Sequence, residues 1–446
     1  MIIYCNAYAP FCIIYYIVQC KGCMFVGEYK IHGGHRLSGE VVIHGSKNAA
    51  LPILAATLLN GGKNLIHNCP ELTDTENMAE ILRYLGCSVM RDGKDVMIDS
   101  SNLNSKEIPG HMMCKTRSST LFAGALAARR KRVFISDSGG CSIGARPIDI
   151  HLMAFEKMGM KISAIDGGIL CSAGEMKACS VRLPFPSVGA TENIMLASAL
   201  TPGVTTIFNA ACEPEICNLS DFLKSIGVGV AGAGTSVICI SGASRPQNGE
   251  VTVIPDRIVA ATYAVCAAIT GGCVRVEGIT PSHLSPVLAI LRQMGCTISF
   301  GNDFFTVECR KRTENIPLIK TGPYPYFPTD SQPLLMSLMT VSKGVGAVSE
   351  RIFERRFGHC ERLRHMGADI KIIGNSACVR GVSRLKGCCV DACDLRCGAA
   401  LVAAALAADG TTMISRTDYI ERGYENLCTG LSGLGADIER IDYVVR

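Results

Sequence analysis

Tryptophan is absent from this chain of 446 residues, and phenylalanine and tyrosine bring the aromatic share to only 6%. The interior must therefore be built from aliphatic side chains and thiols instead of large rings. Charge is sparse too: 19% of residues are charged, the formal net is +5, and no run of lysine and arginine exceeds the four at Arg129 to Arg132. With no aromatic-glycine motif of the RNA-reading kind either, nucleic acid is excluded as the expected partner, and a small anionic substrate fits better. A metal set is also missing. Cys20 and Cys23 form one CxxC and Cys389, Cys393 and Cys397 are spaced four apart, yet no second CxxC or histidine pair completes a zinc site. Residues 1–23 are apolar but lack the leading lysine or arginine of a signal peptide, and Asn6 and Pro10 interrupt them. They read as a leader outside the fold, with Met24 as the true beginning and a weak membrane anchor as the second choice.

What is present is a 48% apolar share, ample for two or three compact domains, and 24 cysteines. Most of those cysteines take the place of small apolar residues, as Cys87 does in LGCSV and Cys266 in YAVCAAI. They read as buried thiols of a protein in a reducing cytoplasm.

The chain also repeats itself. Six helix-like stretches close on an apolar-Gly step that leads into a strand, at Gly86, Gly159, Gly227, Gly295, Gly367 and Gly435, with gaps of 73, 68, 68, 72 and 68 residues. A fixed period marks one unit copied several times, each copy too small to bury its own core. Each copy reads as an alanine- and leucine-rich helix, a tight turn, a strand, a loop, a second helix, the apolar-Gly step and another strand. The turns fall at Gly61-Gly62, Gly203, Gly271-Gly272, Gly344 and Gly410, and copy two has Arg129 to Arg132 in that place. Six such units divide most simply into two three-copy domains. Residues 46–255 are expected to form the first, and 24–45 with 256–446 the second, with a ligand cleft between them.

Matching positions of the copies carry polar residues. The start of each first helix has Lys47-Asn48, Arg117, Ser187-Val188-Gly189, Asp256-Arg257, Asp330, or Asp394-Leu395-Arg396. Helix N-termini expose free N–H groups and partial positive charge, so several of them facing one cleft favour an anion. Lysine and arginine there oppose the dipole, and that conflict points to function. Second loops add Arg146, Arg356 and Arg422, which with Lys47, Arg117 and Arg396 make six cations at equivalent positions whose mutual repulsion requires anions. The arginine fork suits phosphate and carboxylate, so a substrate with both is expected. Cys141 stands apart from the packing thiols because Gly139, Gly140, Ser142 and Gly144 surround it and Arg146 lies five positions on. A nearby cation favours thiolate and glycines allow a loop to close. From local context alone, Cys141 reads equally as a bystander and Asp330, in YFPTDSQ, equally as a helix cap.

The strings GSKNAALPILAA, GGCSIGARPIDIH, PSVGATENIM, EPEI, FPTD, FERRF, DLR and ERGYE occur in order from about Tyr29 to the C-terminus. Together they resemble the UDP-N-acetylglucosamine enolpyruvyl transferase family. That resemblance implies an α/β fold, a two-domain inside-out α/β barrel of six βαβαββ units. It implies enolpyruvyl transfer from phosphoenolpyruvate to the sugar C3 hydroxyl by addition and elimination, in the cytoplasm, with no metal, organic cofactor, nucleic acid or membrane required. By the same resemblance Cys141 protonates the enol C3 and can hold a covalent adduct, and Asp330 takes the hydroxyl proton. Lys47, Arg146 and Arg422 match phosphate ligands, Arg396 and Arg422 carboxylate ligands, and Asn48 steadies the tetrahedral intermediate. Arg117, Arg146, Pro147, Ile148, Asp149, Ile150, Ser187, Val188, Gly189, Asp330 and Ile352 would line the nucleotide-sugar site, with Arg356 among the substrate-binding residues. The pattern departs at Cys212, at Val259-Ala260-Ala261 and at Tyr419, beside the hinge or in supporting places. Rival readings are the sister transferase acting on shikimate phosphate and a non-catalytic paralogue that binds the sugar nucleotide.

Overall fold

Six alanine- and leucine-rich segments fold as helices with scarcely an exposed residue: Lys47–Ala56, Phe122–Arg130, Val188–Ser198, Arg257–Ile269, Gln332–Val341 and Leu395–Leu406. A helix apolar on all sides has to lie inside, and these do, in the computed structural model that describes residues 24–104, 107–136, 143–144 and 147–445. Small side chains let them approach closely. At Gly124 the backbone N–H donates to Asn193 Oδ1 at 2.8 Å, joining the second and third of these helices.

Outside the buried helices lie seven sheets among the described residues. Five have four strands, one, Arg132–Ser136 with Gly168–Ser172 and Lys161–Ile165, has three, and one, Leu385–Lys386 with Ala408–Asp409, has two. The larger sheets share an antiparallel run of three strands, to which each of the five four-stranded sheets adds a short parallel strand donated from elsewhere in the chain. Gly249–Thr252 pairs in this way with Lys63–His67, and Ser38–Val42 with Cys273–Glu277. In another, Cys389–Asp391 is the parallel strand on Thr411–Ser415, and Met24–His32 runs antiparallel to both Thr411–Ser415 and Asp437–Val445. Helices inside and sheets outside form the inside-out α/β arrangement expected from the sequence.

The apolar-Gly steps have one structural cause. Gly86, Gly159, Gly227, Gly295, Gly367 and Gly435 all take left-handed backbone with φ from 91° to 104°. Each follows a second helix of its unit and hands its own N–H, and that of the next residue, back to the last helical turn. Gly86 N bonds Arg83 O and Cys87 N bonds Leu82 O, and the same pair recurs as Gly435 N to Ser432 O and Ala436 N to Leu431 O. This cap satisfies orphan carbonyls and needs a residue without Cβ. In copy two the first turn is made by Lys131 at φ 56°, where the other copies use Gly61, Gly203, Gly271, Gly344 and Gly410.

Two apolar cores result. One runs from Ala49 to Val253; the other joins Tyr29, Ile31, Leu37 and Ile43 to residues from Val259 to Ile438. Both passages between them lie side by side. Gly45 bridges Pro255, Ser46 N–H donates to Ile254 O at 2.7 Å and Asp256 N–H to His44 O at 2.9 Å. Residues 1–23, read above as a leader, lie outside the described residues. Among the described residues no helix is long and apolar enough to cross a membrane.

Candidate active site

Ser46 caps the Lys47–Ala56 helix by accepting the Ala49 N–H, which puts Lys47 at the first helical position, buried and against the helix dipole. A carboxylate compensates. Lys47 Nζ donates to Asp74 Oδ2 at 3.1 Å, and Arg422 Nε, from the second core, donates to Asp74 Oδ1 at 3.0 Å. Asp74 is buried in the first turn of the Thr73–Tyr84 helix, so one anion clasps cations from both halves of the molecule. Burial pushes the Lys47 ammonium below its ordinary pKa; Asp74 works against that, and Arg396 and Arg422 reinforce it. The Lys47 backbone N–H donates to Asp256 Oδ2 at 3.2 Å, while Asp256 Oδ1 caps the next buried helix through Ile258 N and Val259 N. Two helix starts, one from each core, thus share a carboxylate. Asn48 follows Lys47 and is half-buried.

A second anion faces a second pair of cations. Asp330 lies in the Thr329–Ser331 turn that opens the Gln332–Val341 helix. Its Oδ1 accepts from Arg356 Nη2 at 2.6 Å and from Arg396 Nε at 3.2 Å. Both guanidiniums are buried, whereas 30% of the Asp330 side chain stays open. Enclosure alone would raise the Asp330 pKa, but Arg396 and then Arg356 overcome it and hold the carboxyl well below the usual range. Burial opposes the Arg396 charge in turn, and Asp330, Tyr424 and Asp256 outweigh that, so its pKa sits above the ordinary one. Asp394 caps the Arg396 helix through Arg396 N and Cys397 N at 2.8 and 2.9 Å. Lys47 is close enough for Asp330 and Arg396 both to feel its charge, so the two clusters form one electrostatic site.

The remaining predicted residues lie on other elements. Arg117 opens the Arg117–Leu121 turn leading into a buried helix. Pro147 and Ile148 precede the Asp149–Lys157 helix, which begins with Asp149 and Ile150. Ser187 caps the helix of Val188 and Gly189 by accepting from Ala190 N. These two helix starts meet at His151, whose ring lies 3.4 Å from where a Cβ on Gly189 would be. Ile352 N–H donates to Glu350 Oε1 at 2.8 Å. From the first core's loop, Ile143 O accepts from Arg355 N at 3.1 Å, tying that segment to the loop of Ile352 and Arg356. Cys141 and Arg146 lie outside the described residues.

Of the carboxylates, sequence reasoning singled out Asp330 and missed Asp74 and Glu350. Asp74 resembles any acid in a first helical turn, and Glu350 any acid after a strand. The available signal was the excess of cations at matching positions, which requires counter-charge before substrate arrives. Of the departures, Cys212 bonds Ala210 O through its thiol at 3.6 Å, and Arg416 stacks on Tyr419. Next to Cys212, Glu215 forms a buried ion pair with Arg257 at 3.0 Å across the two passages. Among the described residues no His, Cys, Asp and Glu group could hold a metal ion, and every described cysteine is a free thiol.

A family model described as EPSP synthase (3-phosphoshikimate 1-carboxyvinyltransferase) matches residues 31–431. The chain is 48% identical over 416 residues to a UDP-N-acetylglucosamine 1-carboxyvinyltransferase 2 of Caldanaerobacter subterraneus subsp. tengcongensis, covering 93% of this chain and 100% of that one. It is 44% identical to a UDP-N-acetylglucosamine 1-carboxyvinyltransferase of Desulfosudis oleivorans, covering 92% and 98%. Among solved structures, the enolpyruvyl transferase NikO from Streptomyces tendae superposes with a TM-score of 0.85 at 26% identity, over 94% of this chain and 99% of that one. An EPSP synthase from Acinetobacter baumannii gives 0.72 at 19% identity, over 93% and 100%.

Proposed function

The chain belongs to the EPSP synthase family, and on that premise we propose that it transfers the enolpyruvyl group of phosphoenolpyruvate to the C3 hydroxyl of UDP-N-acetylglucosamine, releasing phosphate. The reaction opens peptidoglycan precursor synthesis, and we assign it to the cytoplasm. One observation carries the reading: Lys47, Arg356, Arg396 and Arg422 converge on two carboxylates, Asp74 and Asp330, in one site drawn from both cores.

In this reading the sugar nucleotide lies along Arg117, Arg146, Pro147, Ile148, Asp149, Ile150, Ser187, Val188, Gly189 and Ile352, with its C3 hydroxyl at Asp330. The hydroxyl oxygen attacks C2 of phosphoenolpyruvate as Asp330 accepts its proton and Cys141 gives a proton to C3. The tetrahedral intermediate, steadied by Asn48, then returns a C3 proton to the Cys141 thiolate and expels phosphate, held by Lys47, Arg146 and Arg422. Asp330 is a weak base while two guanidiniums hold it. When the phosphoenolpyruvate carboxylate takes up Arg396 and Arg422, that hold loosens and the base strengthens as the site fills. No step calls for a metal or organic cofactor. The sugar acceptor is favoured over shikimate phosphate because the relatives named for it are 42–48% identical over almost the whole chain, while likeness to the EPSP synthase structures, at 18–19%, speaks for the fold alone.

Purified protein is expected to release phosphate from phosphoenolpyruvate when UDP-N-acetylglucosamine is present and not when shikimate 3-phosphate replaces it. The reverse preference would overturn the substrate assignment.

A further inference from the structure

Glu350 follows the Val345–Ser349 strand and is buried, yet neither the sequence pattern nor the chemistry above uses it. Its carboxylate accepts four hydrogen bonds. Oε1 takes Thr321 Oγ1 at 2.9 Å, Ile352 N at 2.8 Å and Phe353 N at 3.3 Å; Oε2 takes Thr329 Oγ1 at 3.0 Å. The Thr321 hydroxyl in turn accepts from Arg351 N at 2.9 Å. Four donors pointing at one group suit an ionised carboxylate, since every partner gives a proton and none takes one. A buried charge at a loop corner is costly unless it is fully bonded, and a simple turn would need only one or two of these contacts.

The partners belong to two loops with separate tasks. Thr329 immediately precedes Asp330, whereas residues 351–353 lead to Arg356, whose Nη2 meets Asp330 Oδ1 and whose Nε donates to Thr329 O at 3.4 Å. Glu350 therefore fixes the spacing between the carboxylate offered to the sugar hydroxyl and the backbone carrying Ile352. The phosphate-side cations Lys47 and Arg422 hang on Asp74 instead. We infer that Glu350 is a positioning residue for the acceptor half of the site, locking the Asp330 loop to the Ile352–Arg356 loop so that the sugar nucleotide is held with its hydroxyl at Asp330. The inference rests on the acceptor assignment proposed above.

Two near-isosteric variants test it. Glu350→Gln keeps the acceptor for Ile352 N and turns an amide N–H₂ toward the Thr329 hydroxyl; Thr329→Val removes that hydroxyl alone. Both should raise KM for UDP-N-acetylglucosamine, roughly tenfold in Glu350→Gln and less in Thr329→Val, with kcat lowered and KM for phosphoenolpyruvate within about twofold of wild type. A merely structural role would lower the unfolding temperature and leave that split unmoved. Amide hydrogen exchange on the ligand-free protein gives a second readout independent of the substrate. Exchange at 351–353 and 329–331 should quicken in Glu350→Gln while the buried helices keep their protection. Unchanged exchange at both loops, or an unchanged sugar-nucleotide KM in both variants, overturns the inference. Wild-type protein inactive toward both acceptors would instead fault the functional reading, and the exchange comparison would still decide the role of Glu350.

Discussion

Burial draws the Lys47 pKa below its ordinary value; Asp74 opposes that, and Arg396 and Arg422 add to it. A lysine whose pKa is lowered keeps its charge only below that value, and the phosphate-binding form is lost as pH rises through it. Replacing Asp74 by Asn removes the opposing attraction, so the alkaline limb of kcat/KM for phosphoenolpyruvate should move to lower pH, with a loss of roughly tenfold on the alkaline side. A limb that stays in place would show that Asp74 does not govern Lys47. The cations of this site were legible as residues because a lysine and arginines at helix starts violate the dipole preference, and a violation is visible in one dimension. Asp74 and Glu350 were not, because an acid at a helix start or in a loop obeys the local rule. Asp74 matters through Arg422, hundreds of residues away, and Glu350 through Thr321 and Thr329 on a neighbouring loop.

Among elements, the recurring glycine caps were the most readable feature, since a positive φ at a helix end leaves glycine as the residue with the least strain. Copy two shows the same demand met by a side chain that pays for it, with Lys131 at φ 56° where five sister turns have glycine. Lys131→Gly should therefore stabilise the protein by about 1 kcal/mol, seen as a higher midpoint in chemical denaturation with an unchanged slope. A lower midpoint would mean that Lys131 makes compensating contacts. Sheet composition was less legible. The short strands Ser180–Arg182, Ile319–Lys320 and Cys389–Asp391 carry too few residues for alternation to show, and they join sheets by parallel pairing with distant partners.

At the scale of the whole molecule, two helix-filled cores meet where their helix starts share counter-charges: Asp74 with Lys47 and Arg422, Asp256 with Lys47 and its own helix, Glu215 with Arg257. The six-unit fold could be read from the repeat and its family resemblance because the period survives divergence. How the halves face one another could not, since that depends on a few polar contacts spread along the chain. The same contacts bring Asp330 opposite the Lys47 cluster, and the proposed chemistry requires that proximity. The most direct test is a crystal structure of the Asp330→Asn variant soaked with UDP-N-acetylglucosamine and phosphoenolpyruvate. The account predicts the sugar C3 hydroxyl within hydrogen-bonding reach of residue 330 and the phosphate of phosphoenolpyruvate on Lys47 and Arg422. A sugar nucleotide seated elsewhere, such as the outer groove lined by Arg182, Phe208 and Asn209, with the inter-core site unoccupied, would contradict it.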